Sequence, residues 1–307
     1  MSSLPEVLPL AIPHPVEKAA SAPRRRPSRG IWWRHALAIL ALIWSLFPIV
    51  FIISAALNPS GTMNTAELIP KNVSLVNFDA LFSDTARPYL TWYKNSMIIA
   101  GSGALASVFI GACAAYAFSR MRFTGRRPGL FALLLLQMFP ALLAFVALYV
   151  TFVAVGDVLP SFGVNTSAGL IVAYLGGAMG ANVWLLKGYF DTVPRELDEA
   201  AMVDGASHAR IFFTMTLRLV MPILVTVFML SFVGLFGEFL LASIFLRDVD
   251  SQTLGVGLWS MMNVTGDRNK YFGQFCAGAM LASLPVVLLY LGLQKQLVGG
   301  LTQGSVK

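Results

Sequence analysis

The sequence predicts an all-α membrane protein with six transmembrane helices, and three observations carry that prediction. Of its 307 residues, 57% are hydrophobic and only 12% are charged, whereas soluble domains carry about one quarter charged residues. The mean hydropathy is +0.71. Six apolar runs, at roughly 36–57, 95–118, 129–153, 168–187, 221–246 and 275–297, are long enough to cross ~30 Å of hydrocarbon.

In chain order, residues 1–30 are Pro-rich, carry Arg24, Arg25, Arg26 and Arg29, and lack an apolar period. They are expected to be a disordered cytoplasmic segment. The run that follows is span-length and has no cleavage-type ending, so a first transmembrane helix over 31–57 is expected rather than a signal peptide. Residues 58–94 would form an external, periplasmic loop. The core transmembrane domain is expected over 95–297, with a cytoplasmic loop at 188–220 and a second external loop at 247–274. Residues 298–307 would be a cytoplasmic tail. Pro48, Pro140 and Pro285 fall inside apolar runs, where each removes a helix donor and favours a kink. Gly103, Ser107, Gly111 and Ala115 recur every four residues on the second span, a small-residue face for close helix packing rather than for a ligand.

Both external stretches are long for connectors. Phe78, Phe82, Trp92, Tyr93, Trp259, Tyr271 and Phe272 give them enough aromatic surface to fold against something outside the membrane. Cys113 and Cys276 lie in apolar segments near opposite ends of spans, without metal-ligand spacing, and read as small packing residues.

The net charge of +7 is explained by orientation rather than by nucleic-acid binding. Sixteen of the 22 Lys and Arg fall on the side of the two termini, the 119–128 loop and the 187–220 loop. The positive-inside rule therefore places both termini in the cytoplasm. Arg120, Arg122, Arg126 and Arg127 dominate that asymmetry.

The 188–220 segment is the main polar feature of that side. Pro194 suits the first turn of a helix, and Glu196, Asp198 and Glu199 place negative charge at its positive end. Gly205 can take the left-handed conformation that stops a helix, and Ser207 can cap a second one running through Arg210, Phe212 and Phe213. The pattern predicts helix, turn, helix, with Ala200 and Ala201 permitting close approach and Phe212 and Phe213 offering an apolar knob. The plainer reading is an amphipathic loop lying on the bilayer surface.

Glu199-Ala200-Ala201, three residues, then Gly205 resembles the EAA signature of permease subunits of binding-protein-dependent ABC importers. The resemblance to MalG-type maltose permeases extends through Asn182-Val183-Trp184-Leu185-Leu186-Lys187-Gly188-Tyr189-Phe190, Pro222-Ile223-Leu224, Leu246-Arg247-Asp248-Val249, Thr253-Leu254 and the tail Gly300 to Lys307. It covers roughly residues 90 to 307 and implies the type I ABC importer permease (MetI-like) fold. One departure is Arg218, which stands where the family pattern has a helix-breaking Pro, so the second helix is expected to run on more smoothly.

The resemblance implies a bacterial inner-membrane subunit that couples ATPase closure to alternating access. Glu199, Ala200, Ala201, Asp204, Gly205 and Phe212 would form the coupling element docked on a cytosolic ATPase. Gln303 and Gly304 would reach between the ATPases. Gln252, Thr253, Leu254, Gly255 and Asn263 would belong to an external scoop that enters the binding protein. The implied partners are a second, MalF-like permease, two MalK-like ATPases, a periplasmic or lipid-anchored sugar-binding protein and the bilayer. Maltose, maltodextrin or trehalose is the expected cargo. This chain has no P-loop pattern, so ATP and Mg would be held by the ATPases and no cofactor by this subunit. His208 has no second ligand at helical spacing, and no metal site is expected.

Glu238 is the one carboxylate well inside a span, about 13 Å below its outer end at ~1.5 Å per residue. It is expected to line the path or to hold helices in register, for example with Gln137 or a residue of the partner permease. The alternative function is an independent ion-coupled carrier or channel using Glu238, against which stands the absence of any inverted internal repeat. No nucleophile–base pair suggests an enzyme.

Overall fold

The computed structural model describes residues 32–63, 68–70, 72–263 and 269–302. The chain divides at Phe47–Pro48 into two compact units, each described by itself. The first holds the opening turns of α1 (Trp32–Leu57), every described residue of which is exposed. Apart from Arg34, His35 and Ser45 that exposed surface is apolar, as a lipid-facing helix presents. The second unit, from Pro48 onward, holds the last turns of α1 and all the remaining elements.

Those elements are α2 (Val76–Ser83), α3 (Tyr89–Arg120), α4 (Arg126–Gln137), α5 (Ala141–Val158), α6 (Ser167–Phe190), α7 (Arg195–Val203), α8 (His208–Ile211), α9 (Leu217–Leu219), α10 (Met221–Phe236), α11 (Leu240–Phe245), α12 (Leu254–Met262) and α13 (Phe272–Thr302). No strand occurs among the described residues. Four helices are long and apolar enough to cross a membrane, or up to six if each of two bent pairs is one span.

The expected apolar runs are helical, with two breaks that apolarity alone concealed. The third run splits between α4 and α5, because Pro140 has no N–H to continue the ladder and becomes the N-cap of α5. The fifth splits between α10 and α11 at Gly237–Phe239. There the Glu238 carboxylate accepts the N–H groups of Leu241 (2.8 Å) and Ala242 (3.1 Å), which starts a new helix in place of the old ladder. Pro48 and Pro285 remain inside continuous helices. Arg218 does not give the smooth run expected of it. The segment His208–Leu219 meets α10 at a 78° bend, made at Val220 with Pro222 in the first turn of α10.

Helix α3 is the spine of the second unit. Its small-residue face seats α6 and α10: Ser107 Oγ accepts from Asn182 Nδ2 at 2.7 Å, and Gly111 lies so close to Asn182 that an added Cβ would stand 3.2 Å from the Asn182 Cβ. Small residues buy backbone approach there, as the stripe predicts.

Most of the aromatic residues assigned to external contacts belong instead to this chain's own core, while Phe82 and Trp259 are exposed. Trp92 is fully buried among Leu81, Tyr89, Leu254, Leu258 and Phe272, with Phe78, Tyr93 and Tyr271 packed alongside. Burial of so large an aromatic surface is worth about 4 kcal/mol at ~25 cal/mol per Å². Polar bonds lock the two stretches together. Trp92 Nε1 donates to Val249 O (2.7 Å), Asn95 Nδ2 to Asp250 O (2.8 Å) and Gln252 O (3.0 Å), and the Leu254 N–H to Ser96 Oγ (2.8 Å).

Gly257 of α12 faces the Trp92 ring, and an added Cβ would lie inside the ring's van der Waals envelope. Gly257→Ala is therefore expected to destabilise the detergent-solubilised protein by about 1–3 kcal/mol, read as a fall in Tm. A Tm equal to that of the parent protein would contradict this packing.

Candidate functional site

The motif segment folds as helix, turn, helix, and its local chemistry explains each step. Pro194 is the N-cap of α7, with Glu196 and Asp198 in the first turn. Gly205 has φ +81°. The Ala206 N–H bonds to Ala201 O (2.9 Å) and the Gly205 N–H to Met202 O (3.0 Å), the paired closure of a Schellman motif. Ser207 Oγ then accepts the Arg210 N–H at 3.3 Å and caps α8. A π turn over Phe212–Thr216 joins α8 to α9, with the Leu217 N–H reaching back to Phe212 O.

The two faces of α7 have different destinations. Asp198 and Ala201 are buried, while Glu199, Ala200, Met202, Val203, Asp204 and Gly205 are exposed. Ala201 thus packs inward and does not join Ala200 on the open face. Phe212 also turns inward, onto Tyr116 at 5.0 Å and among Phe190, Val220 and Ile223. The exposed apolar surface comes instead from Val203 (88% exposed), Met202, Leu197 and Phe213. Met202 and Val203 stand three and four residues after Glu199, one helical face, and that spacing was the signal available for finding them.

A buried polar network fastens the loop to the end of α3. Arg120 Nε lies 3.0 Å from Asp198 Oδ2, with the two side chains only 4% and 8% exposed, and Arg120 Nη2 donates to Val193 O at 2.7 Å. Ser119 Oγ donates to Asp191 Oδ1 (2.6 Å), Arg195 Nη2 to Ser119 O (3.3 Å) and Lys187 Nζ to Asp191 Oδ2 (2.5 Å). Partial burial would by itself raise the Asp191 pKa. The bonds from Lys187 and Ser119, with the charges of Lys187 and Arg126, outweigh burial and hold the carboxyl below its ordinary value. Its contribution to stability is accordingly full at neutral pH and is lost as acid protonates it.

The external candidates divide. Thr253 and Leu254 are buried, Gln252 and Gly255 are half-buried, and Asn263 is exposed. Helix α12 is thus mostly packed on its own chain, and Trp259 (53% exposed, its ring 5.6 Å from that of Phe239) is the large side chain it presents outward. Gln303 and Gly304 lie outside the described residues. Glu238 and Gln137 are not brought together. Glu238 takes the hydroxyl of Tyr174 on α6 besides the two α11 amides, whereas Gln137 Nε2 bonds to Leu133 O of its own helix at 3.3 Å.

Comparison with known proteins agrees with this architecture. Residues 85–302 match the family described as "Binding-protein-dependent transport system inner membrane component". The maltose/maltodextrin transport system permease protein MalG of Vibrio vulnificus (strain YJ016) is 41% identical over 288 residues, spanning 90% of this chain and 96% of that protein. The protein of the same name from Escherichia coli (strain K12) is 39% identical over 284 residues, spanning 89% and 94%. A chain of a bacterial ABC transporter involved in the import of the acidic polysaccharide alginate superposes with a TM-score of 0.75 at 21% identity, covering 89% of this chain and 99% of that one. The fold is that of an ABC importer permease, and the chain belongs to the binding-protein-dependent transport system inner membrane components.

Proposed function

We propose that this chain is a permease subunit of an ATP-driven, binding-protein-dependent sugar importer of the bacterial inner membrane, with maltose or maltodextrins as cargo and trehalose as a close alternative. The observation that carries the proposal is the split character of α7. One face is pinned to the transmembrane bundle by buried groups, and the other offers Glu199, Ala200, Asp204 and Gly205 with an apolar rim of Met202, Val203 and Phe213. Such a helix has the form of a transmission element. The 41% identity to a maltose/maltodextrin permease supports the choice of sugar.

In this reading α7 and both termini face the cytoplasm, in keeping with the Lys and Arg asymmetry. Two MalK-like ATPases hold ATP and Mg, and one receives α7 in a cleft where basic groups meet Glu199. Their closure swings the loop and tilts the bundle between inward-open and outward-open forms. A MalF-like permease completes the path. A periplasmic or lipid-anchored binding protein meets the external end through Trp259, Asn263, Gln252 and Gly255, since Thr253 and Leu254 are committed to the core. The tail residues Gln303 and Gly304 reach between the ATPases.

The test is uptake by the tagged complex, purified in mild detergent and reconstituted with its binding protein. Labelled maltose uptake that needs ATP and survives an uncoupler, with both ATPase and second permease chains co-purifying, is the expected result. Uptake driven by a proton gradient in the absence of ATP would overturn it in favour of a secondary carrier.

A further inference from the structure

We infer that Arg120 is a positioning residue of the transport step: through its buried pair with Asp198 it joins α7 to the last turn of α3, so that a swing of α7 is delivered to α3 instead of being absorbed in the loops. This rests on the docking role proposed for α7.

The covalent links of α7 are poorly suited to carrying force. On one side α7 connects to α6 through residues 191–194, and on the other to α8 through residues 204–207, both stretches without helix. The non-covalent links of α7 and the linker before it centre on two residues of α3, with Lys187 of α6 also holding Asp191. Arg120 Nε stands 3.0 Å from Asp198 Oδ2 as an ion pair, without a hydrogen bond from Nε, and Nη2 donates to Val193 O at 2.7 Å, so that one guanidinium bridges the helix and the loop before it. Ser119, fully buried, donates to Asp191 and accepts from Arg195. A planar fork can reach a carboxylate and a carbonyl together, which a single ammonium does less well. A buried charge whose partner is removed is left uncompensated, so the pair resists separation even under load.

From Arg120 the motion has a direct route inward. The same helix seats α6 through Ser107–Asn182 and Gly111, and it seats α10 through Gly103, whose added Cβ would stand 2.9 Å from Leu235 Cδ1. Where side chains are in such close contact they move together and do not slip. Helix α3 therefore drags α6 and α10 with it, and both of these carry breaks or bends that would flex.

The experiment compares Asp198→Asn, Asp198→Glu and Arg120→Lys in the reconstituted complex, with sugar moved per ATP hydrolysed as the readout. Asp198→Asn keeps the size and loses the charge, whereas Asp198→Glu keeps the charge. We expect the ratio to fall about tenfold in Asp198→Asn and severalfold in Arg120→Lys, and to stay within twofold in Asp198→Glu, with ATPase subunits retained in all three. Equal ratios in Asp198→Asn and Asp198→Glu would overturn the inference, as would a loss accounted for entirely by ATPase subunits failing to co-purify. Glu199→Lys separates the two levels of argument. If it transports normally, the docking reading itself fails. If it is dead while Asp198→Asn stays coupled, only the Arg120 link fails.

Discussion

Glu199→Lys is expected to insert and pair normally in the membrane and to abolish transport. Glu199 is exposed on α7 beside the buried Asp198, and among the described residues it enters no ion pair. Charge reversal at a solvent-facing helix position costs little within the chain. Against a basic cleft it replaces attraction with repulsion, which weakens docking by about 100-fold or more. Membrane abundance near that of the parent protein, co-purification of the second permease and loss of ATP-dependent uptake are the expected observations. Uptake at the parent rate would remove Glu199 from the coupling surface.

Gly205 supplies the control that separates conformation from docking. Its φ of +81° strains any side chain, but no atom lies within 4 Å of an added Cβ. The intramolecular cost is thus conformational alone, roughly 1–2 kcal/mol for Ala and less for Asp, which tolerates the left-handed region. If the turn's shape were all that mattered, Gly205→Asp would be the milder change. On the docking reading it is the more harmful, because it puts a second carboxylate beside Asp204 on the contacting surface. Uptake in Gly205→Asp below that in Gly205→Ala is the expected order.

The apolar runs were legible because lipid demands uniform hydrophobicity, and the small-residue face of α3 was legible because its period of four is a property of the helix. The breaks at Met138–Pro140 and Gly237–Phe239 were not, since a span and two half-helices have the same hydropathy. In the motif loop, Pro194, Gly205 and Ser207 announced the helix ends through local backbone chemistry. What local chemistry does not encode is facing. Ala200 and Ala201 look alike in sequence, yet one is exposed and the other buried, and Phe212 and Phe213 divide in the same way because Tyr116 of a distant helix receives the first. The partner of Asp198 was hidden for the same reason. Arg120 sits on another helix, and its charge was fully explained by membrane orientation until the fold brought the two together. Trp92 looked like an external contact because its cover is distant in sequence; Leu254, Leu258 and Phe272 come from the far end of the chain.

Glu238→Leu is expected to cost far more than Glu238→Gln, and the geometry gives the reason. The carboxylate accepts from three donors, the N–H groups of Leu241 and Ala242 and the Tyr174 hydroxyl, at a half-buried break between two half-helices. Leu can accept from none of them. Each donor left unsatisfied away from water costs about 1–3 kcal/mol, so the sum is on the order of 3–9 kcal/mol if all three stay dry. That is a large share of the stability of any domain. Gln keeps one carbonyl oxygen with two lone pairs but turns two N–H groups toward donors, so it satisfies two of the three at best. It should retain a folded bundle with partial activity, while Leu loosens α11 from α6. Tyr174→Phe is the informative companion. It removes one donor without orphaning the other two, and should therefore resemble the parent more closely than either Glu238 variant does. Tm and uptake should rank parent, Tyr174→Phe, Glu238→Gln, Glu238→Leu. Gln and Leu equally inactive, with unchanged Tm, would mean that the negative charge itself is used in transport and that registry between α6 and α11 is not what Glu238 provides.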